Sequence, residues 1–178
     1  MAKDLVLTLT GHDKIGIVEK VTDLVLKCKS NIGASRMAHL GGEFAMMMHL
    51  TAPDEQFESL QKSLKALKNE GFTVNIVETS PVDIAKFSGW IPYQIKMAGA
   101  DHEGVVHDIT HHLTKNNINI ENMETSIVSA PMSGTPLFSV SAIIVVPPAI
   151  TFNDLEDGLE KVGDGLNMDT EVAPYTGR

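Results

Sequence analysis

Cysteine is almost missing from this sequence: Cys28 is the single one in 178 residues. One thiol cannot form a disulfide within the chain, so a reducing compartment is the simpler setting. Long apolar runs are missing too. The longest, Ala142–Ile150, contains Pro147 and Pro148 and is far too short to span a bilayer. Met1-Ala2-Lys3-Asp4 leads straight into a strand-like segment with no signal-peptide pattern ahead of it. These features predict a cytoplasmic chain without membrane contact. Basic residues are scarce as well, 14 against 23 acidic ones, for a net charge of −9. Such a chain repels phosphate backbones at long range, which disfavours direct contact with nucleic acid. No phosphate-cradling loop, nucleophile elbow or catalytic triad is recognisable. No catalytic residue and no cofactor is therefore expected, and enzyme activity is disfavoured.

What is present is an ordinary globular composition, 43% apolar and 21% charged. The length suits two small domains, and the sequence repeats itself. Gly11-His12-Asp13-Lys14-Ile15-Gly16-Ile17-Val18 resembles Gly99-Ala100-Asp101-His102-Glu103-Gly104-Val105-Val106. The offset of 88 residues, from Gly11 to Gly99, also maps Thr22 onto Thr110, Lys27 onto Lys115, Asn31 onto Asn119 and Ile32 onto Ile120. Each copy exceeds a solenoid repeat of roughly 20–50 residues and is long enough to be a small domain. Duplication with a pseudo-two-fold arrangement follows, with domains at 1–80 and 93–178. The stretch 81–92 between them, with two prolines and a glycine, reads as a linker.

Periodicity orders each copy. Asp4–Thr10 reads as a strand ending at Gly11, and Ile17, Val21, Leu24 and Cys28 form a helical stripe. Ile32–Leu40 and Glu43–Thr51 read as strands around Gly41-Gly42, a tight-hairpin signal. Phe57, Leu60, Leu64 and Leu67 mark a second helix, and Phe72–Thr79 a last strand. In the second copy the strands are Tyr93–Ala98, Ile120–Ser129, Leu137–Val146 and Met168–Ala173. Val105, Ile109 and Leu113 stripe one helix, and Leu155, Leu159 and Val162 the other. The second hairpin is enlarged over Ala130–Pro136. The order βαββαβ predicts an α+β, ferredoxin-like domain, twice: a four-stranded antiparallel sheet with both helices on one face. The two copies are expected to pack or pair sheets with each other.

The turn between first strand and first helix is the candidate site. Gly11 and Gly99 permit a sharp turn. Gly16 and Gly104 remove a side chain where something approaches. Asp13 and Asp101 suit the N-cap position. The free amides of the helix start suit a carboxylate such as that of an amino acid. Its ammonium group would need acceptors, for which Asp13 or Asp101, Asn31 or Asn119 and nearby carbonyls are suitable. The same residues also fit a purely structural role, the aspartates as caps and the glycines as packing devices.

His107 and His111 are one helical turn apart, as zinc ligands can be. Their counterparts Glu19 and Asp23 lie off the apolar stripe, and no third ligand is indicated, so an exposed face without metal is expected. Cys28 reads as a packed thiol, Arg36 as an anion contact or a strand-surface charge, and Met46–Met48 as core plus adaptable interface.

With the doubled G-x-D-x-x-G-[IV]-V pattern and its Asn-Ile partner, the chain resembles the ACT-domain family, and within it the tandem-ACT regulators of the glycine cleavage repressor type. The resemblance implies a regulatory module that binds a small effector, often an amino acid such as glycine. The ligand-contacting residues it implies are Gly11, His12, Asp13, Ile15, Gly16 and Ile17 with Asn31 and Ile32. In the second copy they are Gly99, Ala100, Asp101, Glu103, Gly104 and Val105 with Asn119 and Ile120. It further implies a transcriptional activator protein as partner and a homo-oligomer. The alternative is a ligand-free interaction module working through exposed sheet faces and the methionine strand.

Overall fold

The computed structural model describes residues 2–80, 87–129 and 136–177. The chain divides into two compact units, Met1–Val82 and Asp83–Arg178. Of the expected linker, residues 81–86 lie outside the described residues, as do residues 130–135 of the enlarged hairpin.

In the first unit β1 (Ala2–His12) leads to α1 (Ile17–Lys27), β2 (Asn31–Leu40), β3 (Glu43–Pro53), α2 (Asp54–Lys65), a 3-10 turn (Ala66–Glu70) and β4 (Thr73–Thr79). The second unit runs β5 (Ile91–Gly99), α3 (Val105–Lys115), β6 (Asn119–Ser129), β7 (Pro136–Val146), α4 (Phe152–Leu166) and β8 (Met168–Pro174). The sheets have matching orders, β2-β3-β1-β4 and β6-β7-β5-β8, and every neighbouring pair is antiparallel. The expected βαββαβ plan is therefore present in both units.

Alternation along the central strands explains which sheet face the helices cover. Leu5, Leu7 and Leu9 of β1 and Phe44, Met46, Met48 and Leu50 of β3 point to one face and are buried. The stripe Ile17, Val21 and Val25 of α1 meets them, as do Phe57, Leu60 and Leu64 of α2. The second unit repeats this with Tyr93, Ile95 and Met97, with Val140, Ala142 and Ile144, and with Val105, Ile109 and Leu113. Met47 alternates to the opposite face and is half exposed, so the methionine run is split between core and surface.

Local chemistry sets the corners. Gly41 and Gly42 both have positive φ, +60° and +93°, the requirement of a two-residue hairpin turn. α1 and α3 end alike. Lys29 and Asn117 sit in the left-handed region, at φ +50° and +55°. Ser30 N donates to Val25 O and Ile118 N to Leu113 O, which is the Schellman closure of a helix end. The 88-residue repeat thus extends to backbone details that side-chain matching does not reveal. β1 differs from expectation by continuing through Gly11 to His12, and β5 begins at Ile91, inside the stretch expected to be linker.

Candidate ligand site

The first strand of each unit hands over to its first helix through a turn with the same backbone. Residues 13–16 and 101–104 form it, and the helices start at Gly16 and Gly104, with φ of +91° and +94°. No side chain caps either helix. The first helical hydrogen bonds run from Lys20 N to Gly16 O and from Asp108 N to Gly104 O, both 2.9 Å. The amides ahead of them have no intrahelical acceptor and carry the positive end of the helix dipole.

This geometry corrects three expectations. Asp13 and Asp101 are not N-caps: each lies three residues before the capping position, too early to reach the first-turn amides in the capping geometry. The glycines also exchange roles. Gly16 and Gly104 serve the positive φ, since an added Cβ would meet nothing within 4 Å. Gly11 and Gly99 are extended residues in close contact instead. A Cβ on Gly11 would stand 2.7 Å from Phe72 Cδ1, and one on Gly99 would strike the Asn167 carbonyl oxygen and come 2.8 Å from Met168 Cα.

The third correction concerns Asn31-Ile32 and Asn119-Ile120, expected beside the turns. Asn31 pairs with Thr51, which pairs with Asp4. Gly11 is seven residues further along β1, roughly 23 Å away at the strand rise. Asn119 and Gly99 are separated in the same way across Val145 and Pro92. Within a unit, the Asn-Ile pair and the glycine turn are therefore at opposite ends of the sheet and cannot hold one small molecule together. Asn31 and Ile32 line a separate groove of about 470 Å³ beside Asp23 and Leu26 of α1.

What does surround the first turn is partly new. His39, at the far end of β2, approaches Asp13 with Nε2 3.9 Å from Oδ1, and His12 Nδ1 lies 2.8 Å from Glu43 Oε1. Lys14 Nζ donates to the Glu70 carbonyl at 2.9 Å and lies over the Phe72 ring. Lys20 forms a two-oxygen ion pair with the Glu70 carboxylate at 2.6 and 2.7 Å. Lys14, Gly16, Ile17, Lys20, Glu70 and Phe72 frame a depression of about 170 Å³. That is smaller than the roughly 300–1,000 Å³ of drug-sized sites, so only a very small molecule fits. Ile15 at its lip is fully exposed.

The second turn keeps the tether and changes the chemistry. His102, at the position of Lys14, has Nε2 3.1 Å from Leu166 O and Nδ1 3.1 Å from Glu103 O. Both partners are carbonyls, which only accept, so the doubly protonated ring alone satisfies both contacts. These carbonyls raise the His102 pKa above the ordinary histidine value, Glu103 foremost and then Leu166, and the Asp101 and Asp108 charges add to them. Ala100 and Glu103 replace His12 and Ile15. Sequence reasoning missed Lys14 and His102 as a pair of tethers; their alignment at the 88-residue offset, both with N–H donors, was the available signal.

Elsewhere, His107 and His111 are exposed on α3 with rings stacked 5.9 Å apart, and no group of three metal-ligating side chains occurs among the described residues. Arg36 is an exposed β2 residue donating to the Ser35 carbonyl. Cys28 is buried at the end of α1. No helix among the described residues is long and apolar enough to cross a membrane.

Residues 3–76 match the family model of the ACT domain. The UPF0237 protein YjhC of Lactococcus lactis is 37% identical over 71 residues, which cover 40% of this chain and 80% of that protein. A solved protein of unknown function from Galdieria sulphuraria superimposes with a TM-score of 0.79 at 25% identity, covering 99% of this chain and all of that one. A proposed glycine cleavage system transcriptional repressor superimposes with a TM-score of 0.72 at 20% identity, over 99% of both chains; at that identity the likeness is one of fold. Fold and repeat define a protein of two ferredoxin-like regulatory modules in tandem. The chain belongs to the ACT-domain family.

Proposed function

We propose that this protein is an amino-acid-responsive regulator that controls a partner protein and carries out no chemistry of its own. The observation that carries this reading is the uncapped helix start behind a left-handed glycine, present in both units. Ile17 N already donates to the Lys14 carbonyl at 3.2 Å; a free α-carboxylate is an acceptor for the first-turn amides that follow it, and the depression of about 170 Å³ beside Gly16 admits an amino acid as small as glycine. In the first unit Asp13 and nearby carbonyls are the acceptors for its ammonium group. Ligand residues are then Gly11–Ile17 and Gly99–Val105, with Asn31-Ile32 and Asn119-Ile120 left outside that contact set. The acidic surface suits a cytoplasmic regulator that acts on a transcriptional activator rather than on DNA, and as a homo-oligomer. The link to glycine metabolism is supported only by fold likeness to the proposed glycine cleavage repressor.

A thermal-shift panel of glycine, serine and other amino acids tests the reading. A ligand at 100 times its Kd adds about 2.7 kcal/mol to the stability of the unit that binds it. Absence of any shift at millimolar concentrations refutes it. The competing reading, a ligand-free interaction module, draws on the exposed apolar residues Ile15, Leu40 and Met47. It predicts stable self-association that is indifferent to every amino acid in the panel.

A further inference from the structure

The two units pair the charges of their first helices differently. In the first unit the lysines of α1 are neutralised: Lys20 pairs with Glu70 and Lys27 with Asp23, each at 2.6 Å. At the 88-residue offset Lys27 becomes Lys115, but its partner Asp23 becomes His111, and Leu24 becomes His112. Among the described residues, neither Lys115 nor Lys161 of α4 has an ion-pair partner. Both line a groove of about 330 Å³ between α3 and α4, together with His111, His112 and one carboxylate, Asp108. Lys161 is the single basic residue on a helix that carries Asp154, Glu156, Asp157, Glu160 and Asp164, and only it among these charges lines this groove.

Glycine makes the space. α4 holds three glycines, each of which weakens a helix interior relative to alanine. Packing accounts for two of them. A Cβ on Gly163 would strike Thr170 Oγ1, and one on Gly158 would press on the His112 ring at 3.0 Å. Gly165 has nothing within 4 Å of its would-be Cβ. Neither packing nor a positive φ accounts for it, and its missing side chain leaves the groove open beside Lys161.

We infer that the α3–α4 groove of the second unit binds the phosphoryl group of a small metabolite, with Lys115 and Lys161 as its cationic contacts and His111 and His112 as donors. On a chain of net charge −9, two lysines and two histidines against the single carboxylate Asp108 mark a local anion site, and lysine serves phosphate as a compact point charge. Burial lowers the His112 pKa, and Lys115 and His111 lower it further. The other charged groups facing it are Asp108, Lys161 and, on its far side, Asp154. A bound dianion opposes these cations, so the site takes up a proton at His112 as it fills.

The test is a titration of the full chain, followed by backbone-amide and histidine-ring NMR, with inorganic phosphate, glycerol phosphate and acetate at matched ionic strength. Saturable shifts at His111, His112, Lys115, Lys161 and Gly165 with both phosphates, and a higher His112 midpoint, are expected. Lys161→Gln and Lys115→Gln should each weaken binding about tenfold, the scale of one charge-assisted hydrogen bond. Gly165→Leu, whose Cβ meets nothing within 4 Å and which improves helix propensity, should keep the thermal midpoint while abolishing binding. The inference fails if the shifts do not saturate, if acetate matches phosphate, or if Gly165→Leu binds phosphate like the parent.

Discussion

The exchange of roles between the paired glycines has a quantitative consequence. Alanine at Gly104 meets no neighbour, so its cost is the backbone strain of holding an L-residue at φ +94°, about 1–2 kcal/mol. For a domain of this size, each kcal/mol shifts Tm by roughly 4–8 °C, so a fall of about 4–16 °C is expected. Asparagine, which tolerates the left-handed region, should recover part of that loss. At Gly99 the limit is space. The Asn167 carbonyl and Met168 Cα are backbone atoms that cannot rotate away, so Gly99→Ala should cost about 1–3 kcal/mol or more. Gly99→Asn should be worse, the reverse of the order at Gly104. Urea unfolding followed by fluorescence reads this unit selectively, because Trp90 is the one tryptophan in the chain and belongs to it. If Gly104→Asn is no better than Gly104→Ala, or if Gly99→Ala is as stable as the parent, the assignment of strain to one glycine and contact to the other is wrong.

Helix caps give a second comparison. Thr151 Oγ1 accepts from Asp154 N at 3.2 Å at the start of α4, so Thr151→Ala should cost about 1 kcal/mol in urea unfolding. Asp13→Ala and Asp101→Ala should stay within about 0.5 kcal/mol, since neither caps a helix. At His102 the folded-state pKa lies above the ordinary value. Its stabilising effect is therefore complete below the unfolded pKa and lost as pH rises through the folded one. Its ring NMR midpoint should exceed that of unfolded protein, and His102→Ala should remove this share of the pH dependence. At His112 the sign reverses: its pKa is lowered, so acidification through the unfolded value destabilises. Cys28, only 5% exposed, should react with a thiol reagent at the rate of unfolding; rapid labelling of folded protein would show that the end of α1 opens locally.

Much of the architecture could be read from periodicity, because alternation and helical stripes are local and the duplication let each copy check the other. The site was less legible. Asp13 looked like a cap because acidic residues before a helical stripe usually are; the left-handed backbone at Gly16 that delays the helix leaves no mark in composition. The distance between Gly11 and Asn31 is a property of antiparallel register. Two segments that match together along the chain fall at opposite ends of a sheet once β1, β2 and β3 pair. Contacts such as Lys14 with the Glu70 carbonyl join residues 56 positions apart and emerge only when the second helix folds back.

The comparison between copies also separates what the fold demands from what it leaves free. Position 14/102 must send a donor to the chain that leads into the last strand, and lysine and histidine both do so, Lys14 to Glu70 and His102 to Leu166. The histidine ring loses one of its two donors on deprotonation. Loss of a ring proton therefore breaks one of the two His102 contacts, whereas in the first turn the histidines, His12 and His39, stand beside the tether and not in it. The same divergence continues along α3, where Asp23 and Leu24 have become His111 and His112. Histidines occur in both copies, beside Glu43 and Asp13 in the first, but only in the second does one tie the turn to the chain that leads into the last strand. The changes reach the apolar stripe of the helix as well, since Leu24 and Cys28 of α1 correspond to His112 and Asn116 of α3, while the central strands keep their apolar pattern. That distribution leaves the sheet as the constant scaffold of each unit and the first helix with its turn as the part that varies.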